Sequence, residues 1–232
     1  MLHDLNYHGP VVILDLDDTL YPERDYVRSG YKAIARSLQR RDSIDPACSF
    51  EVMNRAFELN KNPFDELLNA FPGISHPDSL IPMCVSVYRY HSPTLSLPSE
   101  SREFLEVLRN KGVRTALVTD GRAVTQWAKI RALGIEEFFN PQDIWISEER
   151  GVGKSAIDPW RAIASHYPEA ARFITIGDNP AKDFFYPNML GFTTVCLRDR
   201  GQNIHSQTEV PSDLHKPGLL INSLTEALSI ID

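Results

Sequence analysis

The sequence runs Val11-Val12-Ile13-Leu14, an unbroken apolar stretch rich in β-branched side chains, straight into Asp15-Leu16-Asp17-Asp18-Thr19-Leu20. Such a run predicts a strand buried on both faces. Three carboxylates within four positions then stand at its end. Unpaired charge in that position is costly. A chain with this feature must therefore bring cationic partners to one strand end, a metal ion and a lysine being the simplest pair.

The stretch from about residue 21 to 97 reads as helical, with no convincing strand. Tyr26, Tyr31, Ile34, Ala35 and Leu38 make an apolar stripe over 25–41. Asp45-Pro46 punctuates, and further helices are predicted over 51–60, 64–71 and 82–90. Asn62-Pro63 opens the second of these. Pro93 and Pro98 mark a rigid return.

From residue 99 the texture alternates. Helices are predicted over 101–110, 123–133, 156–167 and 181–190, and strands over 113–119, 143–147, 172–176 and 193–197. Residues 200–217 are polar and aperiodic, 219–221 suit an edge strand, and 224–231 a last helix. This rhythm implies right-handed crossovers. The fold class is α/β, a doubly wound, mostly parallel, Rossmann-like sheet from 1–20 and 98–232, with a helical domain inserted at 21–97.

Charge and composition exclude several function classes. A net charge of −7 with no basic block argues against a nucleic-acid polymer as partner. Cys48, Cys84 and Cys196 form no CxxC pair, which predicts reduced thiols and a cytoplasmic protein. Residues 1–6 lack the pattern of a signal peptide, and no run is long enough to span a bilayer. The seven histidines show no HxH or HExxH spacing, so a transition-metal site is not expected.

In an open parallel sheet ligands bind beyond the carboxyl ends of the strands. The polar residues of interest all fall there. Asp15 and Asp17 follow the first strand, Thr119-Asp120-Gly121 the second, Gly151-Val152-Gly153-Lys154 the third, and Gly177-Asp178 with Asp183 the fourth. Singly, each has an ordinary explanation: Asp15, Asp17, Asp178 or Thr119 as caps, Lys154 as a surface lysine. Their agreement in position is the signal.

In order and spacing these residues resemble the haloacid dehalogenase (HAD) superfamily. Its phosphatases carry DxDxT, here Asp15-Leu16-Asp17-Asp18-Thr19; a hydrophobic strand ending in Ser or Thr, here Leu117-Val118-Thr119; a distant lysine, Lys154; and GDxxxxD, here Gly177-Asp178 to Asp183. The resemblance covers nearly the whole chain, with 21–97 in the place of the family's cap. The lysine, often followed by proline in relatives, is followed here by Ser155.

The resemblance implies an Mg²⁺-dependent phosphatase. Asp15 is then the nucleophile that forms an aspartyl-phosphate, and Asp17 the acid that protonates the leaving oxygen and later activates water. Asp15, the backbone carbonyl of Asp17 and Asp178 hold the ion, with Asp183 a further ligand or an anchor of its loop. Lys154 offsets charge. The Thr119 hydroxyl and the amides of Asp120 and Gly121 bind phosphate oxygens. Asp18 is expected to face solvent or to support the site from behind.

Three rival readings stay open. Gly151–Ser155 looks like the tail of a nucleotide-binding P-loop, although Glu148 stands where that pattern needs glycine. A phosphomutase shares the core. An idle relative would only bind. A dehalogenase is disfavoured, because it needs no acid at Asp17. The partner expected is a small phosphorylated metabolite, a nucleoside monophosphate or a sugar phosphate, with oligomeric state open. Specificity is expected from Arg24, Tyr26, Tyr88 and Arg89, with Tyr90 and His91 near them and Arg122 beside the phosphate turn, and hinges from Tyr21-Pro22 and 93–98.

Overall fold

The computed structural model describes residues 6–208 and 210–231. Two compact units partition the chain, Met1–Arg24 with Ser96–Asp232, and Asp25–Leu95. The insert is thus shorter at both ends than the expected 21–97.

In chain order the elements are β1 (Pro10–Leu14), α1 (Glu23–Asp42), α2 (Pro46–Glu58), α3 (Pro63–Ala70), α4 (Leu80–Tyr90), α5 (Ser99–Asn110), β2 (Arg114–Thr119), α6 (Ala123–Leu133), β3 (Ile144–Ile146), α7 (Ser147–Arg150), α8 (Asp158–His166), β4 (Arg172–Gly177), α9 (Pro180–Asp183), α10 (Phe185–Met189), β5 (Thr193–Leu197), β6 (Leu219–Ile221) and α11 (Leu228–Ile231). The strands form one sheet in the order β3-β2-β1-β4-β5-β6. Every pairing in it is parallel.

β1 lies between β2 and β4, where the direction of winding reverses. That position explains its composition. Val11, Val12, Ile13 and Leu14 are buried on both faces. Each such side chain contributes about 1.5–3 kcal/mol from burial. On one face Val11 and Ile13 of β1 and Ala116 and Val118 of β2 pack with Trp160, Ile163 and Tyr167 of the α8 region.

The helical unit obeys its capping signals. Asn62 Oδ1 accepts from the Phe64 amide at 3.0 Å and Pro63 opens α3. Asp45 Oδ1 accepts from the Cys48 amide at 2.9 Å and Pro46 opens α2. The expectation that Asp45-Pro46 only punctuates, with a helix from 51, is corrected: proline at the first helical position starts a helix. The helix expected over 181–190 is two short ones, α9 and α10. Pro187 lacks the N–H that would bond Asp183, and its ring crowds that carbonyl, so one continuous helix is blocked.

Just before the start of β3, away from the carboxyl ends of the strands, lies a buried polar knot. Asp143 is fully buried. Its Oδ1 is 2.7 Å from His166 Nδ1, and its Oδ2 accepts from the Tyr167 hydroxyl at 2.5 Å. Asp143→Ala leaves buried polar groups without their acceptor, so denaturant unfolding should show a loss of ~2–4 kcal/mol. Catalytic turnover at low temperature should be unaltered. A loss below about 0.5 kcal/mol would show the knot to be dispensable.

Candidate active site

Beyond Leu14 the β1 ladder continues for one residue, the Asp15 amide donating to Ile176 O at 3.0 Å. This fixes Asp15 beside the end of β4, in a buried position. Lys154 reaches it from the loop after α7, with Nζ 2.5 Å from Asp15 Oδ1 and 2.7 Å from Asp183 Oδ1. The lysine's backbone N–H donates to Asp120 Oδ1 at 3.0 Å. A side chain at Gly153 would collide with that same Asp120 carboxylate. Asp183 is held by the Asn179 amide, which donates to its Oδ2 at 2.8 Å, and a Cβ at Gly177 would collide with it. Both glycines are thus required by close approach. The lysine's contact with Asp15 answers the P-loop reading: its amine serves an acid pair.

Asp15, Asp178 and Asp183 each offer a carboxylate oxygen, and these lie within 4.8 Å of one another. Burial, outweighing the attraction of Lys154, lifts Asp15 to about 7, with Asp183 and Asp17 adding to the rise. Burial together with the Asp15 and Asp183 charges lifts Asp178 to about 9. Lys154, although buried, is held well above the usual lysine range by Asp15 and Asp183. One ammonium therefore does not neutralise the cluster.

The Asp17 carboxylate meets a different set of donors. Lys129 Nζ donates to its Oδ1 at 2.7 Å and its Oδ2 at 2.8 Å. The Tyr21 hydroxyl donates to Oδ1 at 2.6 Å and Gln126 Nε2 to Oδ2 at 3.0 Å. Burial alone would raise Asp17, but the charge and hydrogen bond of Lys129, with those of Tyr21 and Gln126, bring it below the ordinary carboxylate range. Gln126 Nε2 also lies 2.7 Å from Thr119 Oγ1. Gly121 departs from expectation. Its amide donates to Ser147 Oγ at 2.9 Å, so it is already engaged where a phosphate contact was expected.

Asp18 is buried, which corrects the solvent-facing alternative. It adopts φ 56° and accepts from the amides of Glu23 and Ile204, both at 2.8 Å. It ties the chain after β1 to the loop after β5. That loop is ordered by Asp199 Oδ1, which accepts from the amides of Gly201, Gln202 and Asn203. Asn203 Nδ2 then donates to Asp178 Oδ2 at 2.8 Å, and Gln207 Nε2 to Asp178 O at 2.7 Å.

Asp15, Asp17, Thr119, Asp120, Lys154 and Asp178 share one cleft, together with Lys182 and His205, which the sequence did not single out. The specificity candidates fare differently. Tyr26 is buried against Tyr88 and His91 of its own unit, and its hydroxyl donates to Tyr88 O at 3.1 Å. Tyr26 is therefore a packing residue, not the expected substrate contact. Arg89 and Tyr88 are half-buried on α4. Arg24 lies in the first turn of α1. Arg122 Nη1 pairs with Glu148 Oε1 at 3.5 Å on the surface.

The chain is similar to known proteins over most of its length. The glyceraldehyde 3-phosphate phosphatase of Methanocaldococcus jannaschii is 28% identical over 95% of this chain and 96% of its own. The protein of that name from Methanopyrus kandleri is 29% identical over the same shares. The HAD-hydrolase YfnB of Bacillus subtilis, solved bound to magnesium, superposes with a TM-score of 0.62 at 19% identity, covering 97% of this chain and 99% of that one. The model of the haloacid dehalogenase-like hydrolases matches residues 10–184, the span that holds β1, Asp15, Asp17, Thr119, Lys154, Asp178 and Asp183. The chain belongs to the haloacid dehalogenase-like hydrolases.

Proposed function

We propose that this hydrolase cleaves phosphate monoesters of small sugars, of the triose phosphate class, through an aspartyl-phosphate on Asp15, with Mg²⁺ bound. The observation that carries the reading is the pairing of a buried nucleophile, Asp15, with Lys154 at 2.5 Å, while a second carboxylate two residues on faces a different set of donors. Two acids so close in sequence but so differently surrounded can take different roles.

An all-oxygen set of buried acids suits a hard divalent cation. Asp178, lifted to about 9 by burial and then by its neighbours' charge, lacks the positive charge that would keep it ionised. Asp15 and Asp178 fit as side-chain ligands. Asp17 fits through its backbone carbonyl, since its carboxylate is occupied by Lys129, Tyr21 and Gln126. Asp183 fits as an anchor, with both oxygens engaged by Lys154 and the Asn179 amide. Bound by these residues, Mg²⁺ would supply charge neutralisation for the acids and the phosphoryl group.

The protein's own groups do the rest. Asp15 Oδ attacks phosphorus in line as the ester P–O bond breaks. Asp17 gives its proton to the departing alkoxide, then takes one from the water that attacks the aspartyl-phosphate. In the free enzyme Asp17 sits below the usual carboxylate range, and an arriving phosphate dianion raises it towards protonation. Lys154 and the Thr119 hydroxyl face the transferring group, with the Asp120 amide beside them.

Relatives named for glyceraldehyde 3-phosphate support the sugar class over the nucleotide class. In a panel of phosphate esters, triose phosphates should exceed nucleoside monophosphates in kcat/KM by at least about tenfold. The reverse order would contradict the substrate class.

Asp15→Asn should lower turnover by at least about 10³-fold with the fold retained, as judged by circular dichroism. A retained rate would remove the nucleophile.

The raised acids also set a pH dependence. Asp15 and Asp178 bind protons more tightly folded than unfolded, so without metal their contribution is full below about pH 4 and is lost as pH rises through about 7 and about 9. Lys154 and Asp17 titrate outside that window. In EDTA the melting temperature should fall between pH 5 and pH 9. Mg²⁺ should raise it by about 5 °C or more at pH 8.5 and much less at pH 5. An equal or larger effect at pH 5 would contradict the site.

A further inference from the structure

Lys129 is buried, 3% exposed, and comes from the middle of α6. It meets both oxygens of Asp17 and lies 3.7 Å from Glu23 Oε1. Gln126, one turn earlier on the same helix face, touches the other side of the story: its Nε2 is within reach of Asp17 Oδ2, Thr119 Oγ1 and Asp120 O. One helix face thus links the acid after β1 to the hydroxyl after β2. A buried ion pair is a weak source of stability compared with apolar packing. Its geometry here suits another purpose. Proton transfer demands that a carboxylate stay within hydrogen-bond reach of one ester oxygen, and a displacement of about 1 Å costs on the order of 10²-fold in rate.

We propose that Lys129, assisted by Gln126, is a positioning residue that holds the Asp17 carboxylate in one orientation for proton transfer to the leaving group and from water. This rests on the phosphatase reading above. In the first half-reaction the Asp15–P bond forms, the ester P–O bond breaks, and the Asp17 proton passes to the departing oxygen. In the second, a water oxygen bonds to phosphorus, its proton passes to Asp17, and the Asp15–P bond breaks. An ester whose leaving group departs as a stable anion does not need the first transfer but does need the second.

Lys129→Met therefore separates two kinds of substrate. With an alkyl phosphate such as glycerol phosphate, kcat should fall about 30- to 1000-fold with KM within about threefold. With p-nitrophenyl phosphate the first turnover should stay near the wild-type rate and a slow steady state should follow, giving a burst of nitrophenolate and an acid-stable phosphoenzyme in quenched samples. Equal losses on both esters with no burst, or kcat on the alkyl ester within threefold of wild type, would overturn the proposal. Tyr21→Phe and Gln126→Met remove one donor each without stranding a buried charge. They should lower alkyl-phosphate kcat about three- to tenfold. If Lys129→Met does not fold, unchanged rates in both would overturn it equally. A wild-type chain inactive on every ester would instead overturn the phosphatase reading, and this proposal with it.

Discussion

Repulsion among acids at the joined ends of β1 and β4 is the constraint on which the site depends. Parallel pairing of β1 with β4 sets Asp15 beside Ile176, and two residues later the chain delivers Asp178 to the same rim. Three buried carboxylates gathered about the ammonium of Lys154 are tolerable only if protonated or if joined by a further cation. The sheet's switch point forces the acids together, and the chemistry follows from their need for positive charge.

Two opposed environments arise within three residues. Asp15, buried and beside other acids, is pushed up despite the attraction of Lys154. Asp17 faces Lys129, Tyr21 and Gln126, and is pushed down. Strand alternation alone would put residues 15 and 17 on one side; the chain instead leaves the strand after Asp15 and turns, the Leu20 N–H bonding Leu16 O, and the two carboxylates meet different donors. A nucleophile and a proton carrier can thereby come from adjacent sequence without sharing a pKa.

Much of this was legible in the chain. The strands were readable because buried parallel strands are continuous apolar runs, and the acids because they interrupt those runs at the one end where ligands bind. Lys129 was not, since a lysine within Ala123–Leu133 reads as solvated. A signal did exist. Gln126, Lys129, Ile130 and Leu133 share the buried face of α6, and two polar residues in an apolar register call for partners. The loop of Asp199 to Gln207 carries no period, so its hydrogen bonds to Asp178 had no trace in hydrophobic pattern. Nor could the order of Tyr26 within its helical unit be told from that of a substrate-facing tyrosine, because both sit on an amphipathic stripe.

The most direct test of the account is a crystal structure grown with Mn²⁺ and beryllium fluoride, the fluoride complex standing in for a phosphoryl group. The account predicts anomalous density for the ion between Asp15 and Asp178, and a beryllium centre bonded to Asp15 Oδ with Lys154 and Thr119 against its fluorides. An ion bound elsewhere, or a beryllium centre on Asp17 or on no carboxylate, would contradict it.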